Sequence, residues 1–165
     1  TSFGSPSYYV QKMFSTSRGD VALPATIDPL PKLSLDEIPK VPPGPPPPQR
    51  PGAPPPAPSR GPTGPTGPFD GLYVSATRED ASGDVILKLV NVQATAQPVR
   101  IALRGVPSVK PQASGEILTG EPTAINSVAE PTKVTPKPVH ITNAGPEFTH
   151  ELPANSVTVL RLKTR

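Results

Sequence analysis

Cysteine and tryptophan are absent from this chain, methionine occurs once and histidine twice. Without cysteine there is no disulfide framework, no thiolate metal site and no thiol nucleophile, although compartment stays open because many secreted domains also lack disulfides. No apolar run approaches the roughly 18 residues that a membrane-spanning helix needs. Lysine and arginine are scattered singly, so a formal charge of +3 and a pI near 9.3 do not make a nucleic-acid surface. Such a surface needs basic runs with interleaved aromatics. A glycine-rich phosphate cradle and a nucleophile elbow are both missing. None of Asn91, Asn126, Asn143 and Asn155 begins an N-glycosylation acceptor. The chain opens on Thr1 and has no signal peptide, and so reads as a processed product or a piece of a longer polypeptide.

Proline is what the chain has in excess, and it is unevenly placed: 19 of 28 lie in the first 70 residues. The core must therefore come from the remainder. Roughly 95 residues from Asp70 onward suffice for a small all-β domain, in the size range where burial only just offsets chain entropy. Lys40 to Pro68 favours polyproline II and cannot build a packed core. Its Gly-Pro-Thr triplets imitate collagen for too short a run to hold a triple helix. A flexible spacer or surface loop is the plain reading; a ligand for a proline-recognising partner or a glycosylated stalk is the alternative.

The stretch Gly71 to Val92 organises the rest. Leu72–Thr77 and Val85–Val92 are apolar, β-branched arms around a polar loop, which is a hairpin signal. The second arm is interrupted only by Lys88 and Asn91 and reads as a strand covered on both faces. Its second layer is expected from the residues that follow it. Gln97 to Leu103 alternates, with Val99, Ile101 and Leu103 on one face and Arg100 and Arg104 on the other. Short strands are expected at Glu116–Thr119, Ala124–Val128 and Val139–Ile141, with an irregular crossover from Glu130 to Pro138. Glu147–Leu152 and Ser156–Lys163 are expected to form a closing pair. The last strand changes phase, implying a bulge or burial on both faces. Seven or eight strands without intervening helices indicate an all-β antiparallel β-sandwich.

Ahead of the prolines, Ser5 to Phe14 reads as a short helix. Ser5 can cap it, Pro6 suits its first position, and Tyr9, Val10, Met13 and Phe14 form an apolar stripe. Gly19 is a plausible stop. About ten residues are marginal as a helix alone in water, so the stripe needs a surface, expected to be a body outside this chain. Asp20 to Asp28 is weakly strand-like, demoted by Pro24 to an edge or a bulge.

Glu79, Asp80, Asp84, Glu116, Glu121, Glu147 and Glu151 fall in turns or on polar faces and read as solvated charge. Glu79, Asp80 and Asp84 lack the spacing of a calcium loop. His140 and His150 stand in separate strands without further ligands. No metal, no cofactor and no catalytic residue is expected here. Sugar-binding modules present flat aromatic platforms, whereas Phe3, Tyr8, Tyr9, Phe14, Phe69, Tyr73 and Phe148 suit the helix stripe or the core.

The runs SPSYYVQKMFSTSRGDVALP, LYVSATREDASGDVILKLVNVQATAQPVRIAL, ILTG, NSVAEPTKVTP and FTHELPANSVTVLRLK, in that order, resemble the C-terminal region of α-L-arabinofuranosidases of glycoside hydrolase family 51. The resemblance covers nearly the whole chain apart from the proline-rich stretch. It implies a jelly-roll-like sandwich packed against a catalytic (β/α)8 barrel. Residues 1–19 would then be the terminal helix of a missing barrel, 20–28 the first sandwich strand, 29–69 a proline-rich insertion and 70–165 the sandwich. Tyr9, Val10, Met13 and Phe14 would pack on that barrel. Members are retaining glycosidases whose two glutamates, about 5.5 Å apart, belong to barrel strands preceding this region. The chain is thus expected to be inactive alone, extracellular, and partnered by a barrel in cis or in trans. A released assembly subunit that self-associates through strand edges or the proline-rich arm is the runner-up. A module for arabinose-containing polysaccharide is the third reading.

Overall fold

Ser5 starts the chain's first element as its pattern predicts, accepting a hydrogen bond from the Tyr8 backbone N–H at 3.2 Å with Pro6 in the first helical position. The resulting helix, α1 (Pro6–Thr16), closes at Ser17, whose N–H bonds the Met13 carbonyl at 3.2 Å. The computed structural model describes residues 3–34 and 68–164, and the description below is of these. Most of the proline-rich stretch lies outside them. After α1 come β1 (Val21–Leu23), β2 (Lys32–Leu33), β3 (Phe69–Asp70), β4 (Leu72–Arg78) and β5 (Val85–Asn91). Then follow β6 (Gln97–Ala102), β7 (Val109–Thr119), β8 (Lys137–Ile141), β9 (Glu147–Leu152) and β10 (Ser156–Thr164).

Every pairing is antiparallel. The main sheet has the order β1-β4-β5-β10-β7-β8; β6 pairs with β9, and β2 with β3. The expected hairpin is β4–β5, in register from Leu72 opposite Asn91 to Arg78 opposite Val85. Its loop closes through Glu79 N–H to the Asp84 carbonyl and Gly83 N–H to the Glu79 carbonyl. Gly83 takes a φ of 75°, a left-handed conformation that glycine adopts without steric cost.

Alternation along the central strands sends side chains to two faces. Val85, Leu87 and Leu89 of β5 and Leu160 and Leu162 of β10 point to the inner face, where Ile101, Phe148 and Leu152 of the β6–β9 ribbon cover them. That is the sandwich core. Ile86 and Val159 point the other way and meet Met13 of α1, together with Leu118 and Val134. Lys88 beside them donates to the Phe14 carbonyl at 3.0 Å and lies 4.9 Å from the Phe14 ring centre, serving a carbonyl that the helix end leaves open.

The second layer over β5 is supplied, as expected, by the β6–β9 ribbon that follows it, while its other face is covered by α1 together with Leu118 and Val134. Three expectations need correcting. The stripe on α1 is accordingly not left without a surface: Met13 is 1% exposed against this chain's own sheet, and Tyr9, Val10 and Phe14 pack partly against the same cluster. Ala124–Val128 is not a strand; residues 120–136 cross over without regular structure, and β7 instead extends back to Val109. Finally, β9 and β10 do not pair. The link of Pro153, Ala154 and Asn155 carries the chain from the ribbon to the centre of the main sheet, with Asn155 at a φ of 46°.

Two buried asparagines hold the layers together. The Asn91 amide donates to the carbonyls of Thr95, Leu152 and Pro153 at 2.9, 3.2 and 2.9 Å, tying the end of β5 to the turn after β9. Asn126 donates to the carbonyls of Gly4 and Val134 at 2.7 and 2.8 Å and accepts from Val134 N–H at 2.7 Å. The crossover is thereby fastened to the segment that leads into α1. Gly115, in the middle of β7, lies so close to β10 that a Cβ there would stand 2.0 Å from the Val159 carbonyl oxygen.

Candidate functional site

Three arrangements were candidates for chemistry: the carboxylates of the β4–β5 loop, the two histidines, and the open space between the layers. In the loop, Arg161 of β10 reaches both Glu79, at 2.8 Å, and Asp84, at 3.2 Å. The Ser82 hydroxyl also donates to Glu79 at 2.6 Å. That hydrogen bond first, and the Arg161 guanidinium second, hold the Glu79 carboxyl below the usual carboxylate range. The same contacts push Arg161 upward, Glu79 foremost.

Asp84 is buried rather than solvated, because Arg161 compensates its charge. Asp80 is turned away, paired with Arg78 at 3.0 Å, while its backbone N–H meets Asp20 at 2.8 Å. The three carboxylates thus spend their charge on two arginines instead of converging on one point. Among the described residues no group of three or more His, Asp or Glu is placed to hold a metal ion. A glycosidase acid needs a carboxyl whose pKa is raised, opposite a second, ionised one. Glu79 is shifted in the opposite sense. Glu116, Glu121, Glu147 and Glu151 are exposed, as expected of turns and polar faces, and Glu147 is engaged by Arg100 on the neighbouring strand.

The histidines sit in different layers. His140 is exposed on β8, the edge of the main sheet. His150 shares the alternation of Phe148 and Leu152 on β9 and is half-buried, with its Nε2 lacking a hydrogen-bond partner. Burial lowers its pKa, with the Glu151 charge opposing more weakly.

A cleft of about 600 Å³ runs between the segment 24–31 and β6, floored by Leu72, Leu87 and Leu89 of the main sheet. Among the described residues, Asp28, Arg100 and Arg104 border it, and no pair of carboxylates faces across it. Tyr73 is the one aromatic side chain among the described residues that line it. Its described residues form neither the opposed acids of a hydrolase site nor the stacked rings of a sugar platform.

The outer face presents the other cover. Tyr9, Val10, Met13 and Phe14 come together on the main sheet as one stripe, with Met13 wholly enclosed. Sequence reasoning missed Asn91 and Asn126, whose buried amides do the work of joining segments. An asparagine inside an otherwise apolar strand, as Asn91 is in the run Val85–Val92, was the available signal.

The chain matches the family model described as the α-L-arabinofuranosidase C-terminal domain over residues 1–156. It is 36% identical over 89 residues to an extracellular exo-α-L-arabinofuranosidase of Streptomyces chartreusis, a span of 54% of this chain and 10% of that protein. Among solved structures it resembles the arabinose-bound MgGH51 α-L-arabinofuranosidase, with a TM-score of 0.69 and 27% identity over 99% of this chain and 20% of that one. It also resembles AbfB, a family 51 α-L-arabinofuranosidase from Bifidobacterium longum, with a TM-score of 0.50 and 26% identity over 58% and 19%. The chain therefore spans a tenth to a fifth of the length of these relatives.

Proposed function

The chain belongs to the family of α-L-arabinofuranosidase C-terminal domains, within glycoside hydrolase family 51, and from that premise we propose that it is the non-catalytic sandwich of a larger arabinofuranosidase. Catalysis then belongs to a (β/α)8 barrel elsewhere in the parent, acting on terminal arabinofuranosyl groups, and this chain supports that barrel. The observation that carries the reading is the pairing of Arg161 with both Glu79, at 2.8 Å, and Asp84, at 3.2 Å. Both carboxylates of the hairpin loop are paired with Arg161, and the Glu79 pKa is lowered by its contacts, the opposite of what the acid of a glycosidase requires.

The division of the chain follows the same reading: 20–28 and 70–165 form the sandwich and 29–69 is inserted into it. The pairing of Leu33 with Phe69 across that insertion supports this. Residues 1–19, as the last helix of the barrel, serve both bodies. Met13 is committed to the sandwich, while Tyr9, Val10 and Phe14 keep partly exposed area for the barrel. Secretion, as in the extracellular Streptomyces relative, is part of the proposal.

The test is an aryl arabinofuranoside assay of this chain alone beside its full-length parent. Turnover by the parent and none by the chain is expected; turnover by the chain alone would overturn the assignment. A second reading, assembly through strand edges, draws on the outer strands β1 and β8, each of which has one neighbour in the main sheet. Light scattering separates them, since edge-to-edge assembly gives open-ended oligomers.

A further inference from the structure

No further inference is drawn: the strongest candidate, the apolar cleft between the segment 24–31 and β6, is an open groove, and nothing in the structure shows what covers it.

Discussion

The two faces of the main sheet are covered in different ways. The inner face meets a strand ribbon, and its cluster of aliphatic and aromatic side chains runs continuously from Leu72 to Leu162. The outer face meets one helix and one crossover, and its buried cluster is the five residues Met13, Ile86, Leu118, Val134 and Val159. Burial on the inner side holds the domain together. The outer side is a satellite whose two covers are distant in sequence and joined by Asn126. A small satellite under a single helix opens at lower free energy than a continuous core.

Truncating the inner core should have the largest effect. Leu160→Ala, at a residue 0% exposed, should cost about 2–5 kcal/mol in urea unfolding; a loss below about 1 kcal/mol would remove the primacy of that face. Met13→Ala removes similar bulk from the satellite, and because the helix can settle into the gap, about 2 kcal/mol is expected. Its exchange signature should be confined to α1 and the outer-face contacts, and uniform acceleration across β4 and β6 would erase the distinction between the faces. Asn126→Ala strands the Val134 N–H and the Gly4 carbonyl, and about 1–3 kcal/mol should appear as a lower thermal midpoint.

The pH response is the smallest effect, and it too divides by region. His150 has a lowered pKa in the folded state, so the unfolded chain takes its proton first as pH falls, and stability should begin to drop below about pH 6.5. Glu79 is likewise lowered, so its contribution is present above the ordinary glutamate value of about 4.3 and lost as pH falls through the folded value. His150→Phe should flatten the first step and Glu79→Gln the second in pH-dependent thermal melts. If one substitution removes both steps, the two groups are coupled through the sheet.

Local chemistry made the first half of this architecture legible. Ser5 and Pro6 mark a helix start whatever surrounds them, and β-branched arms around a polar loop with a left-handed glycine point to β4–β5. Neighbours distant in sequence leave no such local mark. The strands β9 and β10 look like a hairpin because three residues separate them, yet the link passes between layers. Residues 124–128 carry the β-branched Ile125 and Val128 of a short strand, but the inward residue is Asn126 and those two are outward, so hydropathy misplaces the segment. The N-terminal half of β7, VKPQASG, alternates, but beyond Val109 its apolar phase is Pro111, Ala113 and Gly115, residue types depleted in strands. Among the candidate site residues, the Tyr9, Val10, Met13 and Phe14 stripe was visible from its spacing, whereas its seat on Ile86 and Val159 depended on tertiary packing. Asp84 looked like surface charge because Arg161, which compensates it, is 77 residues away.

The two-rung ribbon of β2 and β3 puts Leu33 opposite Phe69 and Lys32 opposite Asp70, with the last two also joined as an ion pair. The polypeptide therefore leaves the sandwich and rejoins it on adjacent rungs, like a side road that returns to its own junction. Since closure entropy grows only as the logarithm of contour length, each doubling costing about 0.6 kcal/mol, evolution could lengthen, shorten or recode that detour without disturbing the register of any other strand.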